Sequence, residues 1–200
     1  MLKVAVTGGA ASGKTVVCEY FRRLGAHVIS FDDLAREVVQ RDSPVLESIV
    51  NHFGEGILTA DGSLDRRKLR GIITRDAQAR KVLERLTHPE IFSLFEEKVA
   101  AIQSRDENAI VVAEVPLLFE VGGQDRFDVV VLVEADSDLQ KRRLMDRDGS
   151  SAAEAQALLG IQMAAEKKRP YADYIVENRG PFKEVEVAVR GIFRKITKSS

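Results

Sequence analysis

Residues 8 to 15, Gly8-Gly9-Ala10-Ala11-Ser12-Gly13-Lys14-Thr15, match the spacing G-x-x-x-x-G-K-[ST]. In that pattern small residues let backbone N–H groups wrap around an anionic phosphate, the lysine reaches the terminal phosphates, and the hydroxyl is offered to Mg²⁺ beside them. The pattern carries weight only between a strand and a helix. Here Leu2 to Thr7 reads as a buried strand, and Val17, Phe21 and Leu24, with Tyr20 beside them, give helical apolar spacing before Gly25 ends it. A glycine-rich turn that happens to contain Lys-Thr would not bring that context. The residues therefore predict a site for a purine nucleoside triphosphate.

Other residue types suit the same chemistry. Asp32 closes the second apolar run, at the sheet edge where the loop must lie. It could accept a proton from an attacking hydroxyl, hold Mg²⁺ through water, or simply cap the next helix. Glu114 also closes an apolar run and is either a magnesium-side carboxylate or a solvated strand end. Arg143 and Arg147 lie four apart on one helical face, with Arg142 beside them. Arginine binds phosphate oxygens in a two-point fashion, so the pair suits a clamp on a transferring phosphoryl group. The plainer alternative is a solvated basic face balanced by Asp146 and Asp148, and it is the phosphate loop that favours the clamp. His88-Pro89 suits a helix start, where a lone histidine is more often structural than catalytic. No residues show the spacing of a zinc site or of a Ser/His/Asp arrangement.

The elements that must position these groups follow from periodicity. Apolar strands are expected at 2–7, 27–30, 109–113, 128–133 and 174–176, separated by helices. From Pro44 to Arg105 no strand is evident, Asp61-Gly62 marks a turn, and His88-Pro89 is expected to open a long helix carrying Ile91, Leu94, Phe95, Val99 and Ile102. Helices are also expected from 137, from 152 to about 167, and from 181 to 196. Strands alternating with helices imply an α/β fold, a five-stranded parallel sheet with helices on both faces, which collects ligands at the strand C-terminal ends.

Two hundred residues suffice for one domain with a sizeable core, and no repeat or low-complexity segment divides the chain. Thirty Lys and Arg against 31 Asp and Glu leave a net charge of −1, which excludes the excess positive charge that drives sequence-independent nucleic-acid binding. The single cysteine, Cys18, falls inside the first helix and reads as a small buried residue. No apolar run approaches the length of a membrane span and no leader pattern opens the chain, so a cytoplasmic protein is expected, with no membrane or nucleic-acid partner. Apolar helix faces leave a monomer or a weak homo-oligomer equally open.

Taken together, the chain resembles the dephospho-CoA kinase family over nearly its whole length. The likeness is carried by Val6-Thr7-Gly8-Gly9, Asp32-Asp33-Leu34-Ala35-Arg36, Gly62-Ser63-Leu64-Asp65-Arg66 and Leu86-Thr87-His88-Pro89-Glu90-Ile91. It continues through Val115-Pro116-Leu117-Leu118-Phe119-Glu120, Arg143-Leu144-Met145-Asp146-Arg147-Asp148 and Ala172-Asp173-Tyr174-Ile175-Val176-Glu177-Asn178. The resemblance implies a P-loop NTPase-type kinase, a single domain over 1–200 with a helical acceptor-binding insertion at about 43–105 and a small helical lid at about 143–168. It implies transfer of the ATP γ-phosphoryl group to the ribose 3′-hydroxyl of dephospho-coenzyme A, with Mg²⁺. Gly8 to Val16 would then hold ATP, and Thr15 and Glu114 the metal. Asp32, Lys14, Arg143 and Arg147 would act in catalysis, with Asp32, Arg66 and His88 on the acceptor side.

The chain also departs from the family pattern. Ser30 stands where the family usually has Asp, and Ala11 where it has a third loop glycine, so the backbone at Ala11 is expected to avoid positive φ. Leu158 stands where the family carries a lid arginine, four residues before Gln162. That bears on one phosphate contact and on lid closure. Two other functions stay in view: a different small-molecule kinase of the nucleoside-monophosphate-kinase type, and a slow nucleotide-dependent switch. The switch would need a guanine-reading Asn-Lys-x-Asp, and the sequence has none.

Overall fold

Runs of Val, Ile and Ala set the sheet. Strands β1 (Leu2–Gly8), β2 (His27–Ser30), β3 (Ile110–Glu114), β4 (Val129–Glu134) and β5 (Tyr174–Glu177) pair in parallel in the order β2-β3-β1-β4-β5. Continuous apolar runs are what a parallel sheet buried on both faces requires. The register sets Val6 and Ser30 beside Glu114, and Gly8 beside Val133, so the C-terminal ends of the first four strands share one edge. The structure, a computed structural model, describes residues 1–198.

The chain divides into two compact units, one formed by residues 1–30 with the chain from Ile102 onward, the other by Phe31–Ala101. In the first, helices α1 (Lys14–Arg23) and α9 (Phe182–Ile196) pack together on the sheet. Val4, Val6, Val17, Phe21, Val131 and Val189 form their common core, and the rings of Phe21 and Phe193 stand 6.4 Å apart. Cys18 is buried here as expected, and burial, followed by the nearby charge of Glu114, pushes its thiol pKa far up. It is an inert core residue. Helices α6 (Ser137–Asp148), α7 (Ala152–Ile161) and α8 (Ala165–Lys168) complete this unit. A capping box between Ser151 and Glu154 starts α7.

The second unit is helical, made of α2 (Phe31–Glu37), α3 (Pro44–Phe53), α4 (Arg66–Arg75) and most of α5 (Ala77–Gln103). Its starts are encoded locally. The Ser43 hydroxyl accepts the Leu46 N–H at 3.1 Å ahead of Pro44, and the Asp65 carboxylate accepts those of Arg67 and Lys68 at 3.1 and 3.0 Å. Val39, Val45, Ile49, Ile57 and Leu69 are its core.

Two expectations about helices need correction. His88-Pro89 does not open a helix, because α5 runs through it from Ala77 to Gln103. An interior proline costs about 3 kcal/mol, since it removes one N–H bond and crowds the preceding turn. The cost is tolerated where Pro89 and Arg85, whose carbonyl loses its partner, both lie on the exposed side. Ala79 and Val82 before the proline, and Ile91, Phe95 and Val99 after it, are buried. Further on, the helix expected from 152 to about 167 is broken after Ile161, with Gln162 extended at φ −87° and ψ 152°. Polar contacts of Gln162 with the Ala10 N–H and of the Met163 N–H with Glu120 replace the helical bonds there.

Candidate active site

The loop leaves β1 at Gly8, where a Cβ atom would stand 2.2 Å from the Val133 carbonyl oxygen, so only glycine permits β4 to approach this closely. It ends at Gly13, in the left-handed region at φ 97°, immediately before α1. Lys14 is only 8% exposed, and its ammonium donates to the Gly8 and Gly9 carbonyls at 3.1 and 2.9 Å. The positive charge is thus folded into the loop that the phosphates are expected to occupy. The Val16 N–H donates to the Gly13 carbonyl at 3.1 Å and begins the helix. On the neighbouring strand Glu114 accepts from the Thr15 hydroxyl at 2.9 Å. Those two oxygens are hard donors of the kind Mg²⁺ takes.

The outer side of the loop is held by side chains from α6, Gln162 and the end of β5. Gln140 Nε2 donates to the Ala10 carbonyl at 2.8 Å, while the Ala10 N–H donates to Gln162 Oε1 at 2.6 Å. Arg143 donates to the Ala11 carbonyl at 3.2 Å, and Asn178 Nδ2 to the Ser12 carbonyl at 2.7 Å. Ala11 itself has φ 55°, so the expectation that it avoids positive φ is overturned. Left-handed backbone costs a non-glycine residue about 1–2 kcal/mol. Bonds to Ala10 and to the Ala11 carbonyl fix the peptides on both sides of it and oppose that strain.

Gln140 and Asn178 were not among the residues singled out for chemistry. Gln140 was legible in part, since it lies three residues before Arg143 on one helix and so shares its face. Asn178 lies 166 residues from Ser12, and no local pattern links them.

Arg143 reaches the loop, whereas Arg147 makes a two-point ion pair with Asp148 at 2.7 and 2.8 Å. The returning segment after α7 is tied down by contacts the sequence did not signal. The Met163 N–H donates to Glu120 Oε1 at 2.9 Å, buried Lys168 stands 2.9 Å from the same oxygen, and Arg169 pairs with both oxygens of buried Glu134.

In the helical unit, Asp32 is exposed in the first turn of α2 and Asp33 pairs with Arg36 at 2.8 Å. Arg66 begins α4 and lines, with Arg70, a cavity of about 230 Å³ whose other walls include Val39, Ile49 and Leu69. Burial, followed by the charge of Arg36, lowers the Arg66 pKa. His88 is half-buried in α5, and burial holds its imidazole below the usual range against an opposing pull from Glu84. Among the described residues no group of three or more His, Cys, Asp and Glu side chains could hold a metal, and no helix is long and apolar enough to cross a membrane.

Known proteins resemble this chain over most of its length. A family model described as dephospho-CoA kinase matches residues 2–184. The chain is similar to a dephospho-CoA kinase of Geobacter sulfurreducens, 43% identical over 192 residues, covering 96% of this chain and 97% of that one. It is likewise similar to one of Syntrophotalea carbinolica, 40% identical over 98% of this chain and 92% of the relative. The solved structure of a dephospho-CoA kinase from Campylobacter jejuni superposes with a TM-score of 0.73 at 29% identity, covering 98% of both chains. A glycine-rich loop between β1 and α1 and a match running from the first strand into the last helix lead to one assignment: the chain belongs to the dephospho-CoA kinase family, ATP-dependent kinases that catalyse the final step of coenzyme A biosynthesis.

Proposed function

We propose that this chain transfers the γ-phosphoryl group of ATP to the ribose 3′-hydroxyl of dephospho-coenzyme A, with the donor held on residues 8–16 and Asp32 receiving the acceptor proton. The observation that carries this is the pairing of a closed phosphate loop, with Lys14 folded into it, and the Thr15 and Glu114 oxygens 2.9 Å apart at the same sheet edge. Phosphoryl transfer leaves little covalent chemistry for a protein, so positioning and charge neutralisation supply most of the rate. Lys14 exchanges its two carbonyl partners for phosphate oxygens. Arg143, already on the loop, and Arg147 bring further positive charge from the lid at about 143–168.

Mg²⁺, when bound, neutralises charge on the phosphates and helps align them. Thr15 and Glu114 suit it, because magnesium sites in kinases commonly use few protein oxygens and take the remainder from phosphates and water. Asp32 follows the end of β2 by two residues and can orient the acceptor hydroxyl and take its proton late in the transfer. The insertion at about 43–105 supplies the acceptor side. Its Arg66 and Arg70 beside an apolar cavity suit a ligand with both an anionic and an apolar part, and His88 belongs to the same unit. The working form is a cytoplasmic monomer or weak homo-oligomer.

The test is direct. The protein is mixed with ATP, Mg²⁺ and a panel of dephospho-coenzyme A, nucleoside monophosphates and sugars, and products are identified by mass. Dephospho-coenzyme A is expected to gain one phosphoryl group at the 3′-oxygen. Phosphorylation of a nucleotide or sugar instead, with none on dephospho-coenzyme A, would overturn the proposal in favour of the other small-molecule kinase.

A further inference from the structure

A phosphate loop works only if its N–H groups point inward, and a peptide plane can be turned by holding either of its ends. In a trans peptide the carbonyl of one residue and the N–H of the next point in opposite directions. Holding the Ser12 carbonyl outward therefore turns the Gly13 N–H the other way. That plane is the one in most need of an external hold, because Gly13 has no Cβ and tolerates several backbone conformations, including its observed φ of 97°.

Asn178 provides such a hold. Its Nδ2 donates to the Ser12 carbonyl at 2.7 Å, and a Cβ on Gly13 would lie 2.0 Å from that same nitrogen. The amide is thus seated where a side chain on Gly13 would be. Asn178 is 1% exposed, and its backbone N–H donates to the Glu134 carbonyl at 2.7 Å, continuing the pairing of β4 and β5 by one residue. The sheet thus fixes the donor before it meets the loop. Its Oδ1 is buried without a hydrogen-bond partner, an arrangement that carries a desolvation cost and gains nothing if the residue serves packing alone.

We infer that Asn178 is a positioning residue for phosphoryl transfer: through the Ser12 carbonyl it sets the Gly13 N–H towards the phosphates of ATP. The inference rests on the proposed role of residues 8–16 as the nucleotide site. It assigns Asn178 to the polyphosphate part of the ligand and not to its base.

The experiment compares ATP with inorganic tripolyphosphate, which has no base. In wild-type protein labelled with ¹⁵N-glycine, tripolyphosphate is expected to shift the Gly13 amide proton strongly downfield. In Asn178→Ala, affinity for both ATP and tripolyphosphate is expected to fall about tenfold, the scale of one lost hydrogen bond. Asn178→Ser, which keeps a donor on a shorter side chain, is expected to recover part of that loss for both ligands. Weaker ATP binding with unchanged tripolyphosphate binding would assign Asn178 to the base and overturn the inference. So would an unmoved Gly13 amide in a wild-type protein that binds tripolyphosphate, and that measurement holds even if the variants do not fold. A wild-type protein that binds neither ligand would overturn the nucleotide site itself.

Discussion

The Thr15 hydroxyl donates to Glu114 Oε1 at 2.9 Å, joining the first turn of α1 to the end of β3. A hydroxyl so engaged has its oxygen lone pairs turned away from the carboxylate and available to a cation. Glu114→Gln keeps an oxygen for the hydroxyl and removes the charge. The Mg²⁺ concentration needed for half-maximal phosphoryl transfer should then rise about tenfold or more, the range seen when carboxylates around a metal are altered. ATP binding measured without metal should not weaken, because a negative charge near the phosphates has been removed. A Mg²⁺ titration identical to wild type would leave Glu114 as a strand-end residue only.

Asp32 offers a different separation of binding from rate. The Asp32→Asn side chain keeps its size but is not a proton acceptor, and its exposed position in the first turn of α2 makes a folding defect unexpected. Turnover should fall about a hundredfold or more, with ATP affinity within a factor of about two of wild type. Single-turnover transfer beside equilibrium ATP binding measures both. Unchanged turnover would reduce Asp32 to a helix-start residue.

Most of the sheet was legible because parallel strands buried on both faces are written as continuous apolar runs, and each expected run lies on an observed strand. The strand, loop and helix around residues 8–15 were equally legible, since the motif fixes residue types at set spacing and the apolar runs flank it. What escaped was held by long-range contact or by compensation. The helical period around Gln162 gave no sign that its side chain leaves the helix to meet Ala10, because that partner lies 152 residues away. Pro89 reads as a helix boundary by its own chemistry, yet apolar burial on both sides of it outweighs the local penalty. For Ala11 the local steric rule was sound and the outcome reversed, since four side chains from distant parts of the chain determine the loop's shape.

That reversal at Ala11 can be measured. Glycine at this position relieves a left-handed cost of about 1–2 kcal/mol and adds about 0.4–1 kcal/mol of unfolded-state freedom. Ala11→Gly should therefore be as stable as wild type or more stable by up to about 1.6 kcal/mol, read from urea midpoints at an unchanged slope. Ala11→Val places a β-branched residue in the same conformation and should lose more than about 1 kcal/mol. A glycine variant clearly less stable than wild type would mean that the Ala11 methyl contributes packing that outweighs its backbone strain.

His88 links the helical unit to pH. Burial, only partly opposed by Glu84, lowers its pKa in the folded chain below the unfolded value of 6.5. Above that value both states hold the imidazole neutral and the shift has no effect on stability. As pH falls through about 6.5 the unfolded chain takes up a proton that the folded chain resists, so stability declines until the folded pKa is also passed. Replacing the ring by an uncharged amide removes that difference. The loss of Tm between about pH 7.5 and about pH 5 should therefore be smaller in His88→Gln than in wild type. An equal loss in both proteins would assign the acid sensitivity to other groups and leave His88 indifferent to protonation on folding.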